Sequence, residues 1–137
     1  MTGHDQRIVV ARAWLEHARD ALANAEHDAL LFPAGAVGRS YYACYYAASA
    51  VLLCDGREFI KHTGVRAAVH MELVKRGRLP VEIGQMYDEL LRSRQTADYG
   101  ALVRVSTDDA KRAIEQAAMV LAAFERLLPP EVLRREE

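Results

Sequence analysis

The stretch Ser40–Cys54, SYYACYYAASAVLLC, decides the fold class of this 137-residue chain. It is the longest run without a charged residue, and Arg39 and Asp55 bound it. Its apolar residues cover nearly the whole circumference of a helix, which is typical of a helix buried on most sides. The run is shorter than the roughly 18 to 20 residues that a membrane span requires. We therefore predict an all-α protein in which this helix is buried on most sides, either centrally in a bundle or at a subunit interface.

Four more helices are predicted beside this buried helix. Apolar residues recur at three- and four-residue steps in each, which indicates one buried face per helix. Short links between the helices favour an up-and-down bundle of four to five helices. We expect one domain, residues 1–130, and a charged tail, residues 131–137, that frays. The predicted helices are Asp5–Asp28, Ala36–Leu53, Thr63–Gly77, one from Leu79-Pro80 to between Arg94 and Gly100, and Ser106–Leu128.

Several residues have the chemistry of helix ends. Thr63 is a plausible N-cap of the third helix, because its hydroxyl can accept from a free backbone N–H. Ser106 with Asp109 three residues on has the spacing of a capping box. Gly56 follows the central helix, where a glycine can adopt the left-handed conformation.

The net charge and the spacing of the cysteines limit the classes of protein to which this chain can belong. The net charge of −1 and the pI of about 6.5 exclude binding of nucleic acid through bulk positive charge, so any such contact needs a local patch. Cys44 and Cys54 lie ten residues apart on one predicted helix, roughly 15 Å, which is too far for a disulfide. We expect free thiols and, since Met1–Ile8 has no apolar core, a cytoplasmic protein.

Familiar cofactor and metal motifs are missing from the sequence. It contains no Gly-rich phosphate loop and no dinucleotide fingerprint. Its five histidines, at positions 4, 17, 27, 62 and 70, are not spaced with carboxylates as metal ligands. We expect neither a cofactor nor a metal.

Two basic clusters precede and follow the central helix. Arg39 either reaches water at the end of the bundle or faces an anion, backed by tyrosine hydroxyls. Lys61, His62 and Arg66 surround the start of the third helix, where free N–H groups favour phosphate. There Gly64 would let a ligand approach the backbone. Solvated charges beside an ordinary N-cap remain an equal alternative.

The third cluster is Arg92–Gly100, RSRQTADYG. Arg92 and Tyr99 are seven residues apart and would share one face of a continuous helix. Arg94 and Asp98 are four apart and could form an ion pair worth a few tenths of a kcal/mol. Taken alone, the cluster reads as a surface ion pair and a tyrosine packed at the helix end.

Read together, the clusters resemble the HEPN superfamily, and most closely its small, stand-alone bacterial and archaeal branch. Four motifs carry the resemblance in order, from Arg39 to Gly100, and the helix layout extends it to Leu128. They are Ser-Tyr-Tyr-Ala-x-x-Tyr-Ala-Ala from Ser40, Lys-His-x-Gly-Val-Arg from Lys61, Tyr-Asp-Glu-Leu from Tyr87 and Arg-x-x-Ala-Asp-Tyr-Gly from Arg94.

The resemblance implies a helical bundle that forms a homodimer with a cleft at its interface. Many such proteins are metal-independent ribonucleases, and many pair with a minimal nucleotidyltransferase as the toxin of a toxin–antitoxin module. In that arrangement the motif tyrosine can be modified with AMP by the partner.

Aligned on Tyr99, the ribonuclease motif Arg-x4-His-x-Tyr places its arginine on Arg92 and its histidine on Ala97. Alanine cannot move the 2′-hydroxyl proton, so we expect inefficient cleavage. His62 or His70 could substitute, but nothing in the sequence places either one in the cleft. Asp98 would need a raised pKa to act as a base, which two nearby arginines oppose. In this branch Arg94 is the alternative functional arginine.

Three functions follow from this comparison. The first is an RNA- or nucleotide-binding HEPN protein with a nucleotidyltransferase partner and a degenerate motif. The second is an active ribonuclease toxin with a rearranged site, so enzymatic activity stays open. The third is a structural adaptor dimer. For the first, Arg92 and Arg94 would bind phosphate, and Tyr99 would stack on a base or accept a nucleotidyl group. The candidate catalytic residues are Arg92 and Tyr99, and the candidate binding residues are Arg39, Lys61, His62, Arg66, Arg94 and Asp98.

Overall fold

The computed structural model describes residues 2–99 and 103–134, and for Tyr99 the backbone alone. All regular structure in these ranges is helical, which confirms the predicted all-α class. The third helix continues directly into one π-helical stretch, Val69–Val74. The helices are α1 Gly3–Asp28, α2 Pro33–Cys54, α3 His62–Ala68, α4 Val81–Tyr99, α5 Thr107–Glu125 and α6 Pro130–Leu133.

The α2 helix takes the central position, which is one of the two positions predicted for this apolar helix. It packs against α1, α3, α4 and α5, and more than half of its residues are buried. Cys44 and Cys54 on this helix are free thiols, as predicted. Within the described ranges, no helix is long and apolar enough to cross a membrane.

The side-chain contacts between helices show an up-and-down order. Asp28 at the end of α1 meets Arg39 near the start of α2, and Trp14, earlier on α1, stacks on Tyr46, later on α2, so these two helices run antiparallel. Gln116 of α5 donates to Glu89 of α4, while Phe124 packs on Tyr87, so α4 and α5 also run antiparallel.

Four of the predicted helix starts differ from the structure, and two of them by a small shift: α1 begins at Gly3 instead of Asp5, and α4 at Val81 instead of Leu79-Pro80. The central helix begins at Pro33 instead of Ala36, because a proline fits the first turn, where its missing N–H needs no partner. The third helix begins at His62, with Lys61 as N-cap, so the prediction of Thr63 as N-cap is wrong. The capping box of Ser106 and Asp109 is present.

The chain still packs against the core after α5, which ends at Glu125 and not at the predicted Leu128. Pro130 stands in the first turn of α6, and Val132 is only 1% exposed. The helix lies against α1, where Arg12 donates to the carbonyl of Glu131. The expectation that the chain frays from residue 131 is therefore wrong for Glu131–Leu133, because Val132 completes the apolar surface that α1 presents.

Candidate functional site

Aromatic and basic side chains from three helices meet on one side of α2. Tyr41, Tyr42 and Tyr45 come from α2, His62 is the first residue of α3, and Arg94 comes from α4. We name these five residues the aromatic–basic cluster. The tyrosines share a side because helical residues three and four apart lie on one face.

The imidazole of His62 is held by a polar contact at one ring nitrogen and by stacking on one ring face. Its Nδ1 lies 3.1 Å from the hydroxyl of Tyr41, within hydrogen-bond distance. Its ring lies parallel to that of Tyr45, with 3.9 Å between centroids and 5° between planes. Desolvation, and then the charge of Arg94, lowers the pKa of His62 below its usual value. The imidazole is therefore neutral at pH 7.

Arg94 lies over the two neighbouring tyrosine rings. Its guanidinium carbon is 5.1 Å from the centroid of Tyr42 and 5.6 Å from that of Tyr41. Its Nε lies 3.2 Å from the carboxylate of Asp98, without hydrogen-bond geometry. The predicted ion pair at this spacing is thus present. The side chain of Arg94 is 21% exposed, so its neighbours cover most of it while part of it still reaches the surface.

The buried base of the cluster is a pair of tyrosines. Tyr41 and Tyr87 are both fully buried, with ring centroids 5.9 Å apart. The hydroxyl of Tyr87 has no hydrogen bond of good geometry, although it lies close enough to affect Tyr41. Burial raises the pKa of both phenols, so both stay protonated at neutral pH.

Arg66 is engaged elsewhere, in an ion pair with α4. Its Nε and Nη2 donate to the two oxygens of Asp88 at 2.8 and 3.2 Å. His70, in the π-helical stretch, contacts the same carboxylate through Nε2 at 2.9 Å. Asp88 therefore ties α3 and the π-helical stretch to α4, and the motif residues Arg66 and Asp88 have a visible structural role.

This carboxylate gives the fold a pH dependence. Desolvation raises the pKa of Asp88, but hydrogen bonds from Arg66 and His70 outweigh it, and the net pKa is lowered. The stabilisation is therefore present above the unfolded pKa, about 3.9, and is lost as pH falls through the lower folded value. We expect Asp88→Asn to lower the free energy of unfolding by about 1–2 kcal/mol at pH 7. The expected loss is no larger because Arg66 is half exposed and solvent screens its charge.

Urea denaturation at pH 7 and pH 3 measures this difference. Asp20→Asn, on an exposed position of α1, serves as control and should change the free energy of unfolding by less than about 0.5 kcal/mol. If Asp88→Asn lowered the free energy of unfolding equally at both pH values, the ionised carboxylate would not be the source of the stabilisation.

Arg92 lies apart from the cluster. It is two residues from Arg94, so the two side chains leave α4 about 200° apart. Arg92 is exposed and lines a groove of about 510 Å³ between α4 and α5, together with Arg112 and Gln116. The sequence-based view of both arginines in one phosphate site therefore does not match their placement within one chain.

The remaining predicted residues lie near the cluster in sequence or outside the described residues. Lys61 is exposed beside His62, and Arg39 is half exposed, 4.0 Å from Asp28. The space expected for a ligand at Gly64 is filled by Phe59, since a Cβ there would lie 2.9 Å from its ring. The side chain of Tyr99 lies outside the described residues. Within the described ranges, no three His, Cys, Asp or Glu side chains converge as a metal site would require.

Sequence reasoning missed Tyr45 and Tyr87 as parts of the site. The signal for Tyr45 was its spacing of four from Tyr41, which predicts a shared helix face. Tyr87 begins the Tyr-Asp-Glu-Leu motif, but nothing in the sequence indicated that it would meet Tyr41, because it lies on another helix and has the pattern of a core residue of α4.

Comparisons with known proteins agree with this architecture. The model of the HEPN domain family matches residues 11–127. A protein of Thermotoga maritima named "UPF0332 protein" is 40% identical over 128 residues, covering 90% of this chain and 95% of that protein. A protein of Methanocaldococcus jannaschii named "Putative toxin MJ0142" is 31% identical over 93 residues, covering 68% of this chain and 63% of that protein.

The fold itself has a solved counterpart. The crystal structure of TT1696 from Thermus thermophilus superposes with a TM-score of 0.74, at 22% identity, over 86% of this chain and 98% of that one. This likeness concerns the fold alone, whereas the family match spans most of the sequence, including every residue of the aromatic–basic cluster. The chain therefore belongs to the HEPN domain family.

Proposed function

We propose that the protein binds single-stranded RNA, or a nucleotide with the same phosphate and base, at the aromatic–basic cluster. The observation that carries this proposal is the environment of Arg94. This largely buried cation lies over two tyrosine rings, beside a neutral histidine. A guanidinium presents paired donors that match a phosphate. Its attraction to an anion is stronger here than in bulk water, because the surrounding rings exclude solvent.

A base can be recognised next to that phosphate. Arg94 lies over Tyr41 and Tyr42, and of these two tyrosines only Tyr42 is half buried and reaches the surface. Aromatic side chains stack on unpaired bases and contribute about 1–3 kcal/mol per base. Lys61, next to His62, and Arg39, two residues before Tyr41, are exposed cations that would extend a local basic patch, which the chain needs because its net charge is −1.

The proposed biological setting is a two-component module. The relative from Methanocaldococcus jannaschii carries the word toxin in its name, and the resemblance to HEPN proteins implies a nucleotidyltransferase partner and a homodimer. We propose the same arrangement for this chain, with the arginine groove at Arg92 as a second contact surface. Ribonuclease activity is a further candidate, favoured by the placement of His62 beside Arg94.

The test compares binding by variants of the two arginines. We expect Arg94→Ala to raise the Kd for a fluorescein-labelled, fully 2′-deoxy-substituted oligonucleotide by about tenfold or more, since a hydrogen bond to a charged group contributes about 1.5–3 kcal/mol. Fluorescence anisotropy measures this, with ATP in a parallel series to separate an RNA site from a nucleotide site. The control Arg76→Ala removes the same charge from an exposed turn and should leave the Kd unchanged.

The Arg92→Ala variant separates the two surfaces. A loss of affinity in Arg94→Ala alone supports the aromatic–basic cluster, and a loss in Arg92→Ala alone moves the binding site to the groove between α4 and α5. Affinity that is indifferent to both changes would contradict the proposal and favour the adaptor function.

A further inference from the structure

A second group of aromatic side chains lies where α1 meets α2, outside the aromatic–basic cluster. Trp14 of α1 stacks on Tyr46 of α2, with 5.5 Å between ring centroids and 27° between planes. His17, one turn further along α1, lies 5.8 Å from Tyr46 and 6.3 Å from Trp14. Trp14 and Tyr46 are partly buried and His17 is exposed, so a ligand can reach all three. We name these three residues the α1 subsite.

The α1 subsite is continuous with the aromatic–basic cluster through Tyr42. Tyr42 and Tyr46 are four residues apart and share one face of α2, with 5.8 Å between their ring centroids. The guanidinium of Arg94 lies 5.1 Å from the ring of Tyr42. Arg94, Tyr42, Tyr46 and then Trp14 or His17 therefore form one row, in which each group is 5.1–5.8 Å from the next.

The face of α1 that carries the subsite has no carboxylate. Val10, Trp14, His17, Ala21 and Asn24 follow one another at four- and three-residue steps, so they lie on one face of the helix. None of these five residues is acidic, and Val10 is 45% exposed. Such a face does not repel a phosphate that passes it, and its rings and apolar groups can cover a base.

We propose that the α1 subsite binds a further unpaired base, and that the protein takes an extended single strand running from Arg94 past Tyr42 and Tyr46 to Trp14. This subsite rests on the function proposed above and goes beyond it, because it distinguishes a strand from a mononucleotide. A mononucleotide places its phosphate on Arg94 and its base on Tyr42. Only the following bases of a strand reach Trp14 and His17.

The spacing of the row fits bases that are separated from one another. Stacked neighbours in one strand of a duplex are about 3.4 Å apart, whereas the groups of the row are 5.1–5.8 Å apart. Bases of an unpaired strand can be splayed out and stack on aromatic side chains. Aromatic rings at these centroid distances are offset from each other, which leaves part of a ring face uncovered for a base.

Stacking on this row predicts the selectivity of binding. Every base has a flat face, so stacking tolerates any sequence and does not depend on the sugar. We therefore expect affinity to depend on the length of the strand more than on its sequence. A duplex, in which the faces of the bases are covered by their neighbours, should bind more weakly than the same strand alone.

The test uses the fluorescence of Trp14, which is the only tryptophan of the chain. A base stacked on an indole quenches its emission, so the signal reports on the α1 subsite alone. The probes are a mononucleotide with a 5′-phosphate and a single-stranded, fully 2′-deoxy-substituted tetranucleotide of the same base. We expect the tetranucleotide to quench Trp14 and the mononucleotide to leave the emission unchanged. By calorimetry, the Kd for the tetranucleotide should be lower by about tenfold or more, the scale of one further stacked base.

Variants of the two α1 residues separate stacking from folding. Trp14→Ala should raise the Kd for the tetranucleotide by about tenfold, and Trp14→Phe, which keeps a ring, by less than about threefold. His17→Ala changes only an exposed side chain, so the fold is retained even if Trp14→Ala unfolds, and we expect a rise of about fivefold. The Kd for the mononucleotide should stay the same in all three variants. His4→Ala removes another exposed histidine from α1 and should leave both Kd values unchanged.

The outcomes separate failure of the α1 subsite from failure of the proposed function. If the tetranucleotide binds no more tightly than the mononucleotide, or binds without changing the emission of Trp14, the subsite is overturned and the site at Arg94 stands. If the emission changes with protein concentration but not with the tetranucleotide, this face is an interface between copies of the chain, and the subsite is overturned equally. If the wild type binds neither probe, the proposed function itself is overturned.

Discussion

Replacing Phe124 by alanine should lower the free energy of unfolding by about 3–5 kcal/mol, the range measured for large aromatic truncations in protein cores. Phe124 lies on α5 and is fully buried. Its ring stands perpendicular to that of Tyr87 on α4, with 6.3 Å between centroids. The change removes apolar burial and leaves a cavity where α5 meets α4, beneath the aromatic–basic cluster.

Chemical denaturation followed by circular dichroism measures this effect. The matched control is Met119→Ala, on the same helix but 53% exposed, which should change the free energy of unfolding by less than about 0.5 kcal/mol. Equal effects of the two substitutions would mean that α5 does not bury the face that the structure assigns to it.

Ending the chain at Pro129 should lower the free energy of unfolding by about 2–4 kcal/mol. The deletion removes Val132, which is 1% exposed, and uncovers the α1 surface around Leu15. Burial of one aliphatic side chain contributes about 1.5–3 kcal/mol, and the newly exposed partners add to the loss. Thermal and urea denaturation of the shortened chain beside the full chain measure the difference.

Glu131→Ala is the control for this deletion. The side chain of Glu131 is exposed, and Arg12 contacts only its backbone carbonyl, so the substitution should be nearly neutral. If the shortened chain were as stable as the full chain, residues 130–134 would be dispensable, and the expectation of a frayed tail would hold.

The helices could be read from the sequence because periodicity is a local property. The all-round apolarity of Ser40–Cys54 predicts a helix that is buried on most sides, and α2 is buried at the centre of the bundle. The stripe through Ala117, Leu121 and Phe124 predicts the buried face of α5. Ser106 and Asp109 predict a capping box because the interaction spans three residues. Helix starts were less certain, as Thr63 shows, since several residues near α3 have N-cap chemistry and packing selects among them.

For the candidate site, too, local sequence and tertiary structure determined different features. The sequence by itself determined the all-α class, the HEPN motifs and the list of basic and aromatic residues from which a site could be built. Only the tertiary structure decided which of them meet. It placed His62 against Tyr41 and Tyr45, Arg94 over the same side of α2, and Arg92 in a separate groove. The physical reason is that side-chain contacts between helices depend on rotation and register, which distant residues fix together, whereas periodicity within a helix depends on its own residues alone.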